Sequence, residues 1–217
     1  MKRTTLRRTG AAAAATLALS LSLAACGSDD NNDSTAGDST PTAADSPSTS
    51  GGTSDAAAQV FGPACNAVPT SGPGSFDGMV QDPVATAASN NPLLKTLVKA
   101  VGIAGLGDTL NKAPALTVFA PTDDAFAALP KKALNAALAD KKTLTAILTN
   151  HVLGENLDPT AVVGDQKTLG GGTITIAGDT NGMTVTSGDV KANVLCGNIP
   201  TANATVYVID SVLLPAS

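Results

Sequence analysis

The 217-residue chain has no tryptophan, one tyrosine (Tyr207), one histidine (His151) and four phenylalanines. So few rings leave no platform for stacking bases or sugars. Arginine is missing after position 8, so every base beyond it is a lysine. The planar fork that grips phosphates and carboxylates is therefore absent. Beyond residue 25, nine lysines face 18 acids, a net charge of −9. That is the wrong sign for a nucleic-acid partner. One histidine, and three cysteines without Cys-X-X-Cys spacing, supply no zinc ligand set. No Gly-X-Ser-X-Gly elbow and no Ser-X-X-Lys motif occurs. Gly170-Gly171-Gly172 lacks the Lys-Ser/Thr that completes a phosphate loop, and reads as a turn before a strand. No metal, no cofactor and no enzymatic activity are expected. No apolar run reaches the roughly 20 residues that span a bilayer.

What is present starts with an export signal. Lys2, Arg3, Arg7 and Arg8 precede an apolar run from Ala11 to Leu23, and Leu23-Ala24-Ala25-Cys26 follows. Small residues at that point mark a cleavage site. The tetrapeptide resembles a bacterial lipoprotein signal, which implies that residues 1–25 are removed and Cys26 is lipidated. The alternative is an ordinary secretory signal with Cys26 an incidental thiol. Arg7-Arg8 also fits a twin-arginine route, but a basic leader serves the general route equally well.

Residues 26–57 are, after Cys26, only Ser, Thr, Asp, Asn, Gly, Pro and Ala, with six Asp and no Val, Ile, Leu or aromatic residue. Such a stretch cannot bury enough surface to offset ordering entropy and is expected to be disordered. Its span as a flexible tether is roughly 30 Å. Its Ser, Thr and Pro also suit O-glycosylation, on composition alone.

Residues 58–217 are long enough for one domain with a core. Its first half reads helical. Asp82-Pro83, Asn91-Pro92 and Asp158-Pro159 each place an Asx before a proline, as at a capped helix start. Helices are expected over Pro83–Ser89 and Pro92–Val101, the second stopped by Gly102, with a further turn over Ile103–Leu110. Leu116–Ala120 reads as a strand. Thr122 caps a helix through Phe126 and Leu129, with Asp123 and Asp124 in its first turn, where the helix dipole favours them. Helices at Lys131–Ala139 and Lys141–Asn150 follow. The second aligns Leu144, Ile147, Leu148 and His151 on one face. Thereafter the period becomes two: Thr173–Ile176, Met183–Thr186, Val190–Leu195, Thr205–Ile209 and Ser211–Leu214 read as strands. Helices early and strands late indicate an α+β class. Cys65 and Cys196 bracket the domain and are expected to form a disulfide in an exported protein; two free thiols are the rival.

Three segments carry a resemblance. Thr117-Val118-Phe119-Ala120-Pro121-Thr122-Asp123-Asp124-Ala125-Phe126, Asn150-His151-Val152 and Ala204–Pro215 resemble the signature boxes of fasciclin (FAS1) domains, in order and at suitable separations. The family-motif residues are Phe119, Pro121, Thr122, Phe126, His151, Tyr207 and Asp210. Gln81–Ala85 and Ala87–Pro92 are similar to the single-domain fasciclin antigens of mycobacteria, one secreted and one a surface lipoprotein. The resemblance implies a wedge of β-strands packed with several short helices, and a role in extracellular adhesion. Asn150 stands where the family often has Tyr, a position linked to integrin binding in animal members, so integrin recognition is not carried over.

Most of these residues have a structural reading beside any functional one. His151 is either a pH-sensitive contact or a ligand, or else a structural histidine bonded to backbone or an Asp, and its place on the apolar face favours the last. Tyr207 reads as core, and Asp123 and Asp124 as helix-start residues. The expected function is a lipid-anchored domain on the outer face of the cell membrane, with shedding or secretion as the alternative fate. It would contact an extracellular protein or glycan and act as a monomer. The alternatives are a carrier of a small apolar ligand within the wedge, and a structural envelope lipoprotein.

Overall fold

The computed structural model describes residues 55–215. Cys26, the leader and nearly all of the tether lie outside the described residues. Among those described, no helix is long and apolar enough to cross a membrane.

The chain runs α1 (Asp55–Gln59), a 3-10 turn (Cys65–Ala67), α2 (Phe76–Gln81), α3 (Val84–Asn90), α4 (Lys95–Ala104) and α5 (Gly107–Lys112) before the first strand, β1 (Leu116–Pro121). Then come α6 (Asp123–Ala127), α7 (Lys131–Ala139), α8 (Lys141–Thr149), β2 (Val152–Leu153), β3 (Gly164–Lys167), β4 (Thr173–Ala177), β5 (Thr184–Ser187), β6 (Val190–Pro200) and β7 (Ala204–Ile209). The class is α+β. The seven strands are ordered β2-β1-β7-β6-β5-β4-β3. An isolated bridge between Leu153 and Thr168 brings the two ends of that order together, so the sheet nearly closes.

The parallel pair β1–β7 stands second and third in that order, in register from Leu116 opposite Ala204 to Pro121 opposite Ile209. Both strands are buried at all six positions. Successive side chains leave a strand on opposite faces, so a strand buried throughout must be covered on both. Leu116, Val118, Ala120, Ala204, Val206 and Val208 face the helical core with Leu97, Ala100, Phe126, Leu144 and Leu148. Phe119, Tyr207 and Ile209 face a second core inside the folded sheet with Ile174, Ile176 and Val185. Strand β4 has one dry side and therefore alternates, exposed then buried.

Helix boundaries depart from the sequence reading where long-range contacts replace local ones. Asp82 does not cap α3; it ends α2, and Pro83 occupies the cap position without a side-chain bond. The first amides of α3 are met from afar. Val84 N donates to Asn203 Oδ1 (2.9 Å) and Ala85 N to Asn111 Oδ1 (2.9 Å). Asn203 Nδ2 in turn donates to the carbonyls of Leu110 and Ala113 (2.8 Å each). One side chain thus fastens the start of α3 to the end of α5. Helix α4 starts later than Pro92, and Asp123 Oδ1 accepts from Thr96 N in its first turn (2.6 Å). Gly102 does not stop α4. The stop is Gly105, left-handed at φ 74°, whose amide meets the last carbonyls. Asp158 makes a single turn, accepting from Thr160 N and Ala161 N, and no helix follows. Strands β2 and β3 have no counterpart in the sequence reading, β6 runs on to Pro200, and Ser211–Leu214 is not a strand.

Cys65 and Cys196 are joined by a disulfide across 131 residues. Phe61 and Gly197 exchange backbone hydrogen bonds beside it (3.2 and 2.7 Å). A Cβ at Gly197 would stand 2.4 Å from the Phe61 ring, so only glycine lets the two strands approach.

Two outcomes follow. Asn203→Ala strips α3 and α5 of one shared partner and should cost about 2–4 kcal/mol in urea denaturation. Closing so long a loop is worth roughly 4–5 kcal/mol in the chain-entropy account. The Cys65→Ser, Cys196→Ser double variant should therefore melt roughly 10–20 °C lower in a thermal scan.

Candidate functional site

The family-motif residues meet around the end of α8 and the C-terminal segment. Helix α8 starts on Asp140, whose carboxylate accepts from Lys142 N (3.0 Å), and carries Leu144 and Leu148 into the core. Its apolar face delivers His151 to a position 2% exposed. There Leu213 N donates to Nε2 (2.8 Å), so that nitrogen carries no proton. Nδ1 stands 2.8 Å from the Ile147 carbonyl and donates to it. These two bonds select the neutral Nδ1–H tautomer. Burial lowers the pKa from 6.5 to about 4, only partly offset by the Ile147 carbonyl.

Asn150 works beside it. Its amide nitrogen donates to Ser187 Oγ (3.0 Å) and to the Leu213 carbonyl (3.3 Å), and its oxygen accepts from Thr168 Oγ1 (3.3 Å). Ser187 Oγ donates onward to the Leu214 carbonyl (2.8 Å). Leu213 is thus gripped at its amide by His151 and at its carbonyl by Asn150. Gly172 packs against that amide; a Cβ there would lie 2.8 Å from Asn150 Oδ1. The Gly170-Gly171-Gly172 turn is a close-approach surface with no phosphate-loop geometry.

The other motif residues are structural in the same sense. Thr122 Oγ1 accepts from Ala125 N at the start of α6 (3.2 Å), Phe126 enters the helical core, and Pro121 ends β1 in register with Ile209. Tyr207 packs on Phe119 (centroids 5.5 Å) and donates its hydroxyl to the Leu157 carbonyl (3.1 Å). Burial and Asp158 raise its pKa. Asp210 accepts from the Asn193 amide (2.8 Å) and side chain (2.6 Å), holding the turn after β7. Asp123 and Asp124 serve helix starts; they do not converge as an acid–base pair. Among the described residues no group of three His, Cys, Asp or Glu could hold a metal.

The sequence reading missed Asn203, Ser187 and the glycines around a cavity of about 240 Å³. That cavity lies between α3, α4 and α5 and the β1–β2 end of the sheet, with His151 in its wall. Asn203 sits one residue outside the closing signature box, and nothing local distinguishes it from an ordinary turn asparagine.

Protonating His151 at Nε2 destroys the bond from Leu213, so the folded state resists the proton. The unfolded chain binds more protons between pH 6.5 and about 4, and stability falls as pH drops through that window. The loss should be about 3 kcal/mol on top of carboxylate effects. It is read as the difference between wild type and His151→Gln in urea melts across pH 4–7, the variant lacking the histidine component.

The fasciclin domain family matches residues 92–215. Immunogenic protein MPB70 of Mycobacterium bovis is 45% identical over 168 residues, covering 74% of this chain and 84% of that protein. Cell surface glycolipoprotein MPB83 of the same species is 42% identical over 189 residues, covering 82% and 84%. A FAS1 domain pair from the insect cell adhesion molecule fasciclin I shares the fold, with a TM-score of 0.53 and 18% identity. That match covers 63% of this chain and 52% of the insect one, so the chain spans about half of that pair. The sheet that folds back on itself, the helical layer over β1 and β7 and these matches have one meaning: the chain belongs to the fasciclin domain family.

Proposed function

We propose that this chain is a lipid-anchored surface protein whose fasciclin domain mediates adhesion or contact with an extracellular protein or glycan. In this reading residues 1–25 are the leader, Cys26 carries the lipid, residues 26–57 are the tether and residues 58–217 are the displayed domain. The carrying observation is the reach of the similarity to the surface glycolipoprotein. It covers 82% of 217 residues, about 178, which is more than residues 58–217 contain. The likeness therefore enters the Ser/Thr-rich stretch that precedes the domain.

The chemistry of the described residues agrees with a binding role. Its one imidazole has both nitrogens engaged by backbone, and its paired aspartates serve helix starts. The relatives carry the names of an immunogenic protein, of a cell surface glycolipoprotein and, at the level of fold, of a cell adhesion molecule. Contact through a folded surface is the role those features share.

The test uses Cys26→Ala. Wild type should incorporate labelled palmitate and remain with the membrane fraction, and the variant should do neither. Cells bearing wild type should attach to a protein or glycan surface, in a panel of matrix proteins, host cells and envelope polymers. Cells bearing the variant should attach no better than cells lacking the protein. An unlabelled wild type would remove the anchor from the proposal, and uniform failure to attach would remove adhesion.

A further inference from the structure

We propose that the cavity between α3, α4, α5 and the sheet is a binding site for one free, unbranched aliphatic chain, with its polar end left at the mouth. The cavity measures about 240 Å³ and opens to solvent. Its wall is aliphatic, with Val84 from α3, Leu97, Val98 and Val101 from α4, and Leu106 and Leu110 around α5. A cavity of roughly 150 Å³ with such a wall stays dry and takes a benzene. Scaled from that case, this one has room for a chain of about ten carbons.

Two glycines point to an occupant independently of the wall. Gly102 lies within α4 and Gly107 opens α5, and both line the cavity. Neither has the positive φ that calls for glycine. A Cβ at either would meet nothing within 4 Å. At Gly197 a side chain is forbidden by a neighbour; at Gly102 and Gly107 nothing forbids one. Glycine inside a helix destabilises it relative to alanine. Here its effect is to leave open space, at two positions that border the cavity.

The wall also says what the occupant is not. It contains no Lys, Asp or Glu. His151 spends both ring nitrogens on Ile147 and Leu213 and offers the cavity no polar atom. A sugar, nucleotide or amino acid would bury polar groups there without partners. The one phenyl ring in the wall, Phe119, is fully buried and packs tilted against Tyr207, so it shows no exposed face to a planar ligand. Hydrocarbon remains. Leu169 lines the cavity and is 54% exposed, so the apolar track continues to the surface. Thr109, exposed on α5, also borders the cavity and supplies a hydroxyl that a polar head can meet. This site is separate from the adhesion reading: either activity can fail while the other stands.

Decanoic acid is titrated calorimetrically into the purified full chain, below its micelle concentration, with decanol as the uncharged control and phosphatidylglycerol vesicles as the membrane control. Wild type should bind both free chains with one-to-one saturation. Gly102→Leu, which adds a bulky side chain at the cavity wall, should weaken binding at least about tenfold, with an unchanged or raised melting temperature. Should that variant fail to fold, nuclear Overhauser contacts from ¹³C-decanoate to the Val98 and Val101 methyls of wild type decide the matter. The proposal is overturned by absence of saturation, by wild-type affinity in a folded Gly102→Leu, by contacts that lie elsewhere, or by binding that requires vesicles.

Discussion

Everything in this fold hangs on the parallel contact between β1 and β7. Register partners on these strands are 88 residues apart in sequence, and the two strands supply side chains to both apolar clusters at once. Six paired positions on each strand, all shielded from water, leave the ladder hydrogen bonds in a dry setting where an unmade bond is costly. The helices cover one face, the curled half of the sheet covers the other, and neither layer has a partner without the pair between them. The signature boxes map onto this pair because they are the pair: the first is β1 with the start of α6, and the last is β7 with the segment after it.

The second box is the fastener. Asn150 and His151 do not line a reaction centre. They hold the backbone of Leu213 by both of its polar groups, and Ser187 holds Leu214. The C-terminal segment contributes Val212 and Leu213 to the cores, one to each. A chain end that buries two large side chains needs its backbone polar groups met, and two adjacent residues at the end of α8 meet them. The bond count at Asn150 shows why an amide suits this place: it donates twice and accepts once, which a phenol cannot do.

The legible parts of the sequence were those governed by local rules. Alternation revealed β4 and β5, the Thr122 cap revealed α6, and the apolar spacing in Leu144, Ile147 and Leu148 revealed α8. The α+β class followed from the order of these periods. What stayed hidden depends on partners distant in sequence. β2 is two residues long and exists because β1 and Thr168 flank it. β3 is Gly-Asp-Gln-Lys, with no β-forming side chain, and is a strand because β4 pairs with it. The Asx–Pro pairs misled for the same reason, since Asn203 and Asn111, not the preceding Asp82, meet the amides of α3. The cavity was invisible because an empty volume has no residue of its own; Gly102, read as a helix stop, borders it instead.

The crosslink between Cys65 and Cys196 has a mechanical meaning. A pull on the N-terminal side of the domain reaches Cys65 and crosses a covalent bond into β6, the fourth of the seven strands in the sheet order. The helices α2 to α8 lie on the loop that this bond short-circuits, so load bypasses them. Shear or drag on the chain would thus be borne by the sheet's middle, leaving the helical layer and its cavity slack.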